Sequence, residues 1–324
     1  MRVLVTGATS LLGRSVAQRL ISRGDEVAVL QRTPSGLDTP EHLGDITDKE
    51  TVASAMTGAD AVVHLAAKVS VVGPWEEFRR VNVEGTRTVL DAARTAGVSR
   101  FVQVSSPSVA HTGSSLVGAD AGPADPTGAR GHYARSKAMA EVAALDAADD
   151  LSVVAVRPHL VWGPGDTQLI GRIVDRARQG RLAVVGSGMA LIDTTYIENA
   201  ADAIVAALDR APDLSGKALV VSNGEPRPVK ELFDRIVAAA GIAPPRMKVP
   251  ASIAKAGGSV AERVWDRTGR TDDPPMTSFL AGQLATAHWF DQRQTRRLLQ
   301  WTPTVTLDEG FRRLTEWYRD HTDL

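Results

Sequence analysis

The stretch Val3-Leu4-Val5-Thr6-Gly7-Ala8-Thr9-Ser10-Leu11-Leu12-Gly13 decides how the whole chain is read. A short apolar run over residues 2–6 breaks at Gly7, and a helical pattern follows from Leu12 to Ser22, with Gly24 placed to cap it. Strand, glycine turn and helix in that order aim unpaired helix N–H groups at a pyrophosphate. Gly7 permits the tight turn, and Gly13 permits close packing of helix on strand. Many strand–helix joints carry one glycine. Here the joint follows a strand, opens a helix and stands at the head of a series.

Working outward, Glu26–Leu30 reads as a second strand. Thr47-Asp48-Lys49-Glu50 has the spacing of a capping box led by Thr47 and opens another helix. Ala61 to Leu65 is a strand, Glu84 to Thr95 a helix closed by Gly97, and Phe101–Val104 the next strand. A helix containing Tyr133 then leads into the β-branched run Ser152–Val156. Apolar strands alternating with helices predict a doubly wound α/β fold, a parallel sheet covered on both faces.

After Arg157-Pro158 the rhythm loosens. Gly163-Pro164-Gly165 and Gly186-Ser187-Gly188 punctuate an excursion from the sheet, Asn199 to Leu208 resumes a helix, and Ala218–Val221 reads as a last strand. From Glu225 onward the pattern is helical, with Pro breaks at 244–245 and 274–275. The expected division is a dinucleotide-binding unit of residues 1–160 plus 190–223, and a smaller, mainly helical substrate lobe of 161–189 plus 224–324. The lobe would lie over the carboxyl ends of the strands, where open α/β sheets bind ligands.

The 324 residues suffice for one large domain or two modest ones. At 43% hydrophobic and 23% charged, with net charge −1, the balance is that of a globular protein without a nucleic-acid footprint. Cysteine is absent, which excludes disulfides and thiolate metal sites. No apolar stretch is long enough for an integral membrane segment, and no basic and apolar leader precedes the first strand, so the expected setting is cytoplasmic.

Gly131-His132-Tyr133-Ala134-Arg135-Ser136-Lys137 carries the chemistry. A phenol and an ammonium four residues apart share one helix face. Free tyrosine, with a pKa of about 10, is a poor base near neutrality, and a fixed cation nearby lowers that value. The pair can then relay a proton to or from an alcohol beside a hydride donor. Tyr-x-x-x-Lys alone is as common in structural helices; the upstream Val104-Ser105-Ser106 and the Gly turn tip the reading to catalysis.

At the end of the second strand an NAD site places Asp or Glu on the ribose 2′-hydroxyl, whereas Arg accommodates a 2′-phosphate. This chain has Gln31-Arg32-Thr33 there. Arg32 can be a plain surface cation, but the missing acid favours NADP(H) over NAD(H). Asn82 can cap a helix beginning near Val83 or touch the active site. His64 reads as a satisfied core histidine. His111, His132 and His159 lack the spacing and carboxylates of a metal triad, so no metal is expected. Trp162, Trp265, Trp289 and Phe290 fit a lipophilic cavity or ordinary burial equally well, and the helical pattern Ile253–Trp265 is read as core packing.

Together these residues resemble the extended short-chain dehydrogenase/reductase superfamily, and within it the 3β-hydroxysteroid dehydrogenase-like group, with its sterol-4-carboxylate 3-dehydrogenases and 2-alkyl-3-ketoalkanoate reductases. The likeness runs through Thr6 to Gly13, Gly44 to Asp48, His64 to Ala67, Asn82 to Thr86, Val104 to Ser106, Tyr133 to Lys137, Arg157 to Gly165 and Tyr196 to Asn199. It implies a Rossmann fold with a pyrophosphate on Gly7, Thr9, Ser10, Leu11, Leu12 and Gly13. Asp45 and Ile46 would hold the adenine, with Leu65, Ala66 and Ala67 along the cofactor backbone, and Pro158 to Val161 would pass near the nicotinamide. Tyr133 would be the acid/base, Lys137 would hold the ribose, and Ser106, with Ser105 as second choice, would polarise the substrate oxygen. One position departs from the pattern: Ser10 stands where the superfamily has glycine, and its hydroxyl is available to a phosphate.

The function so implied is interconversion of a secondary alcohol and a ketone on a bulky lipophilic small molecule, a β-keto acid or 3-oxo steroid-like ring. A sugar-nucleotide epimerase is the alternative, and it fits Gln31-Arg32 poorly because epimerases retain NAD. Dehydration lacks its Asp-Glu pair, since Pro107-Ser108 follows Ser106. A dinucleotide sensor would not need both Tyr133 and Lys137. A homodimer is an expectation from the resemblance alone.

Overall fold

The structure, a computed structural model, describes residues 1–70, 72–111, 113–268 and 276–321; the break at 274–275 lies outside them. In chain order the first seven strands are β1 (Arg2–Thr6), β2 (Glu26–Gln31), β3 (Glu41–Leu43), β4 (Ala61–His64), β5 (Arg100–Val104), β6 (Leu116–Ala119) and β7 (Ser152–Pro158). They are followed by β8 (Val161–Trp162), β9 (Ala183–Val185), β10 (Leu191–Ile192), β11 (Thr195–Tyr196), β12 (Lys217–Val221), β13 (Arg227–Pro228), β14 (Met247–Val249) and β15 (His288–Phe290).

Seven strands pair in parallel in the order β12-β7-β5-β4-β1-β2-β3. The order reverses between β1 and β4, and that switch point opens a crevice at the carboxyl ends. Alternation along the strands sends Val3 and Val5 to one face and Leu4 to the other. On the first face they join Val63, Val102 and Val154 beneath α1 (Leu11–Ser22); the opposite face is closed by α2 (Lys49–Met56), α4 (Gly85–Ala96) and α5 (His132–Leu145). A four-residue α3 (Trp75–Phe78) precedes α4.

Two expectations need correction. Asp48 caps α2, its Oδ1 accepting the N–H of Glu50 and of Thr51, while Thr47 turns back to bond Asp45. Asp48 stands immediately before the first helical residue, and its carboxylate reaches the free donors there. The helix expected from Glu84 begins nine residues earlier, at Trp75, because Arg79–Glu84 is a π-helical turn joining α3 to α4. Asn82 sits inside that turn and caps nothing.

Beyond the sheet, α6 (Ile170–Arg178), α7 (Ile197–Leu214) and α8 (Val229–Ala239) precede α9 (Ala251–Thr268), α10 (Ser278–Ala285), α11 (Arg293–Leu299) and α12 (Leu307–Asp320). A separate apolar cluster forms there, in which Trp162 stacks on Phe311 at 4.7 Å and packs edge-on against Tyr196. Trp162 therefore belongs to a core; Trp265 and Trp289 are half-buried. A four-stranded sheet, β13-β10-β15-β6, ties this region to the loop after β5. The outer edge of β12 is closed by α11 and the residue before it: Ser222 N–H donates to Gln292 Oε1 at 3.0 Å, and Thr295 Oγ1 donates to the Val220 carbonyl at 3.0 Å. None of the described helices is long and apolar enough to cross a membrane.

Candidate active site

The carboxyl rim gathers most of the residues singled out in the sequence. Gly7 has φ +80°, and a Cβ there would lie 2.9 Å from Ala66 Cα. A Cβ on Gly13 would lie 2.3 Å from the Gly7 carbonyl. Both contacts require the missing side chain. Ser10 caps α1: its Oγ accepts Gly13 N–H at 3.1 Å and donates to the Gly7 carbonyl at 2.9 Å. That hydroxyl proton is spent inside the turn, so the N–H groups of Leu11 and Leu12 are what the helix start offers an anion. Thr9 and Ser10 are exposed, Leu11 and Leu12 half-buried.

Leu65 N–H reaches the Thr6 carbonyl at 3.3 Å and Ala66 N–H the Thr6 hydroxyl at 3.1 Å, which fixes 65–67 beside the turn. Asp45 is half-buried, and Ile46 packs its side chain toward Gly85. Arg32 is exposed past the end of β2. An acid missed from the sequence lies close by. Glu41 of β3 accepts hydrogen bonds from the Gln31 side chain and from Ser35 N–H at 2.7 Å, and these bonds lower its pKa. Its donors come from the last residue of β2 and from the loop after it, so the acid braces that loop.

At the end of β5, Ser105 N–H continues the pairing to the Val156 carbonyl at 2.7 Å, and its Oγ is buried without a partner among the described residues. Ser106 caps the turn Pro107–Ala110 and accepts from Ser108 Oγ at 2.9 Å. Burial pushes the Tyr133 phenol above its ordinary value, and the neighbouring Ser106 hydroxyl only partly opposes that shift. Lys137, 4% exposed, donates from Nζ to the Val104 carbonyl at 2.6 Å, and burial lowers its pKa to about 8. The expected depression of the phenol by Lys137 is thus not realised here, because the ammonium is turned to the strand. An ammonium has three N–H donors and one is used; two remain for a ligand in the crevice, beside the orphan Ser105 hydroxyl. Pro158 is buried and Val161 half-buried along the same rim.

Asn82 and His64 brace this site. Asn82 Oδ1 accepts Lys68 N–H at 2.7 Å, and its amide donates to the Lys68 carbonyl and to Ser136 Oγ, which donates to the Tyr133 carbonyl. His64 stands between Thr6 Oγ1 (2.7 Å) and Thr86 Oγ1 (3.1 Å). Thr86 gives its proton to the Asn82 carbonyl and so accepts from His64 Nε2–H, which leaves Nδ1 to accept from Thr6. Burial first, and the Lys137 charge second, push His64 down to about 3, so it is a neutral spacer. Behind Tyr133, Glu141 and Arg157 form a bidentate ion pair, both 0% exposed, and Arg157 also donates to the carbonyls of Ala121 and Gly122. Sequence spacing gave no signal for this pair: its members are 16 residues apart on a helix and a strand.

His132 lies apart from His111 and His159, its Nδ1 at 3.1 Å from the Gly73 carbonyl and its ring against Trp75 and Phe78.

Residues 3–222 match the NAD dependent epimerase/dehydratase family. The chain belongs to that family. A 2-alkyl-3-oxoalkanoate reductase of Stenotrophomonas maltophilia is 40% identical, with 97% of this chain and 98% of the relative aligned. A decarboxylating sterol-4-alpha-carboxylate 3-dehydrogenase of Mus musculus is 29% identical over 96% of this chain and 89% of its own. Among solved structures, MoeE5 in complex with UDP-glucose and NAD superposes with a TM-score of 0.77 at 26% identity, covering 99% of this chain and 100% of its own. The family member described here is an NAD(P)-dependent oxidoreductase of the extended short-chain dehydrogenase/reductase type.

Proposed function

We propose that this enzyme interconverts a ketone and a secondary alcohol on a bulky, largely apolar substrate of the β-keto acid, β-hydroxy acid or 3-hydroxysteroid-like class. The observation that carries the reading is the Tyr133 phenol set beside Ser106 at the end of β5, with the Lys137 ammonium buried one helical turn on. The relatives named above act on 3-oxo acids and on a sterol carboxylate, by their names.

The turn at Gly7 and Gly13, the 65–67 segment, Asp45 with Ile46, and the free N–H groups of Lys137 would hold the dinucleotide. When bound, its reduced nicotinamide supplies hydride to the carbonyl carbon. Tyr133, kept protonated near neutrality by its burial, gives its proton to the carbonyl oxygen, so the phenol acts as the acid in reduction. Ser106 Oγ polarises that oxygen. Lys137 would orient the ribose through the N–H groups it does not spend on the Val104 carbonyl. Asn82 acts through the Lys68 backbone and Ser136, as a positioning residue.

NADP(H) is the preferred cofactor in this reading, with Arg32 on the 2′-phosphate and Glu41 already engaged. Residues 1–160 plus 190–223 form the dinucleotide unit, and 161–189 plus 224–324 shape the substrate site. A cytoplasmic homodimer completes the proposal. The test is Tyr133→Phe: NADPH binding, followed by fluorescence, is retained while turnover is lost. A fully active variant, or purified protein carrying stoichiometric nicotinamide as an epimerase does, discards the reading.

A further inference from the structure

Surface helices turn their large apolar side chains to the core and their polar ones to water. In α9 the arrangement is reversed. The face against the protein is made of small residues: Ala254 packs with Val185 and Ala281, and a Cβ on Gly258 would stand 2.4 Å from Ser278 N at the start of α10. The large residues point outward, Ile253 at 61% exposed, Val260 at 57% and Val264 at 44%. With Gly257, which faces open space, they recur at i, i+4, i+7 and i+11, one continuous stripe along the helix. The core packing expected for Ile253–Trp265 is therefore corrected. It is confined to the small residues and the half-buried Trp265, because α10 approaches at backbone distance and leaves no room there for a branched side chain.

Cations border the stripe. Arg263 and Arg267 stand three residues after Val260 and Val264, along one flank, and Lys255 lies near the start of the helix. The strand that leads in, β14, presents Met247 and Lys248 to solvent, with exposed Arg246 just before it. All five cations are exposed, and none has an ion pair among the described residues. Residues 246–267 contain two acids, Glu262 and Asp266. Glu262 is engaged with α10, accepting the N–H of Ser278 at 2.8 Å and its hydroxyl at 3.0 Å.

An aliphatic ridge edged with cations is complementary in both respects to the anionic face of a lipid bilayer. Branched side chains enter the boundary between headgroups and acyl chains, while Lys and Arg extend to the phosphates. Protein-binding patches centre on aromatic anchors, and this stripe is aliphatic throughout. With 18 residues and this much charge, α9 is no membrane span, so it would lie on the surface.

We propose that α9 and the end of β14 form a peripheral docking surface for anionic phospholipid bilayers. The inference does not depend on the ketone–alcohol reading, since vesicle binding is measured without substrate. Where that reading holds, docking would let the enzyme draw its apolar substrate from the bilayer.

The test centrifuges the full chain with vesicles of phosphatidylcholine alone and of equal parts phosphatidylcholine and phosphatidylglycerol. Wild type pellets with the anionic vesicles at low salt, and binding weakens severalfold by about 0.5 M salt, where surface charge is screened. Arg263→Gln/Arg267→Gln lowers binding to anionic vesicles about 30-fold, roughly fivefold per cation. Ile253→Ser/Val260→Ser/Val264→Ser lowers it at least about tenfold. All five positions are exposed, so both variants keep the wild-type thermal melt. A wild-type protein that stays in the supernatant with anionic vesicles at low salt overturns the docking surface. So does vesicle binding that both variants retain in full, or a wild-type dimer that the serine variant splits while neither protein pellets with lipid. Vesicle binding by a protein that turns over no ketone or alcohol supports the surface and sinks the ketone–alcohol reading.

Discussion

On the dinucleotide side of the crevice, Gly7, Ser10 and Gly13 stand within seven residues of each other and bond to one another. On the other side, His111, His159, Asp193, Ser222 and His288 arrive from five separate segments. The first is a device of local backbone geometry, set as soon as a strand, a turn and a helix form. The second exists only after the sheet has closed and the four-stranded sheet has docked on it. Turn chemistry can be shared by a whole family, while the assembled side can change with each substrate.

Four outcomes would sharpen or break this contrast. Tyr133→Phe, at the junction, lowers kcat roughly 10²- to 10⁴-fold, as expected for loss of a positioned acid, with NADPH dissociation within about twofold of wild type. Loss of cofactor binding would instead merge the two sides into one cooperative site.

Next in size, Arg157→Met strands Glu141 without its partner in a region with no exposure. Urea unfolding should show a cost of about 3–5 kcal/mol, most of it recovered in Arg157→Met/Glu141→Leu. A single variant as stable as wild type would mean that the long-range side is not fastened through this pair.

His64 gives a pH signature to the local side. Its folded pKa, about 3, is below the unfolded value of about 6.5, so the unfolded chain takes up the proton first. Its stabilisation is complete above pH 6.5 and is lost as pH falls toward 3, by about 1.4 kcal/mol per pH unit. His64→Gln should flatten that slope in urea titrations between pH 4 and 6.5; an unaltered slope would place the titration elsewhere.

The smallest effect belongs to Arg32→Gln, which should raise the KM for NADPH about three- to fivefold and leave that for NADH in place, as for one exposed ion pair. Equal changes for both cofactors would reject the 2′-phosphate assignment.

Six of the seven core strands were legible because they are apolar runs rich in valine and separated by glycine turns and helical stretches, and Val3, Leu4 and Val5 already alternate between the faces they cover. Tyr133, Lys137 and Ser106 were legible because helix spacing and a strand end are local patterns. What could not be read was pairing across the chain. Glu41 reaches Gln31 and Ser35 by lying in an adjacent three-residue strand too short to show a period. Asn82 could be read as a cap or as a site residue, because Asn is common at helix starts and the sequence does not show the π-helical turn that holds it. The bond between His159 and Asp193, 34 residues apart, left no local pattern to read.

The closure of the β12 edge has a consequence for the order in which the chain is made. Gln292 and Thr295 cover a border that was complete in sequence some seventy residues earlier. Until they emerge from the ribosome, the bare flank of the sheet offers free amide and carbonyl groups to any other extended chain. A transcript cut short before codon 292 would leave a product with nearly the full sheet and a permanently open seam, prone to stack on its own kind.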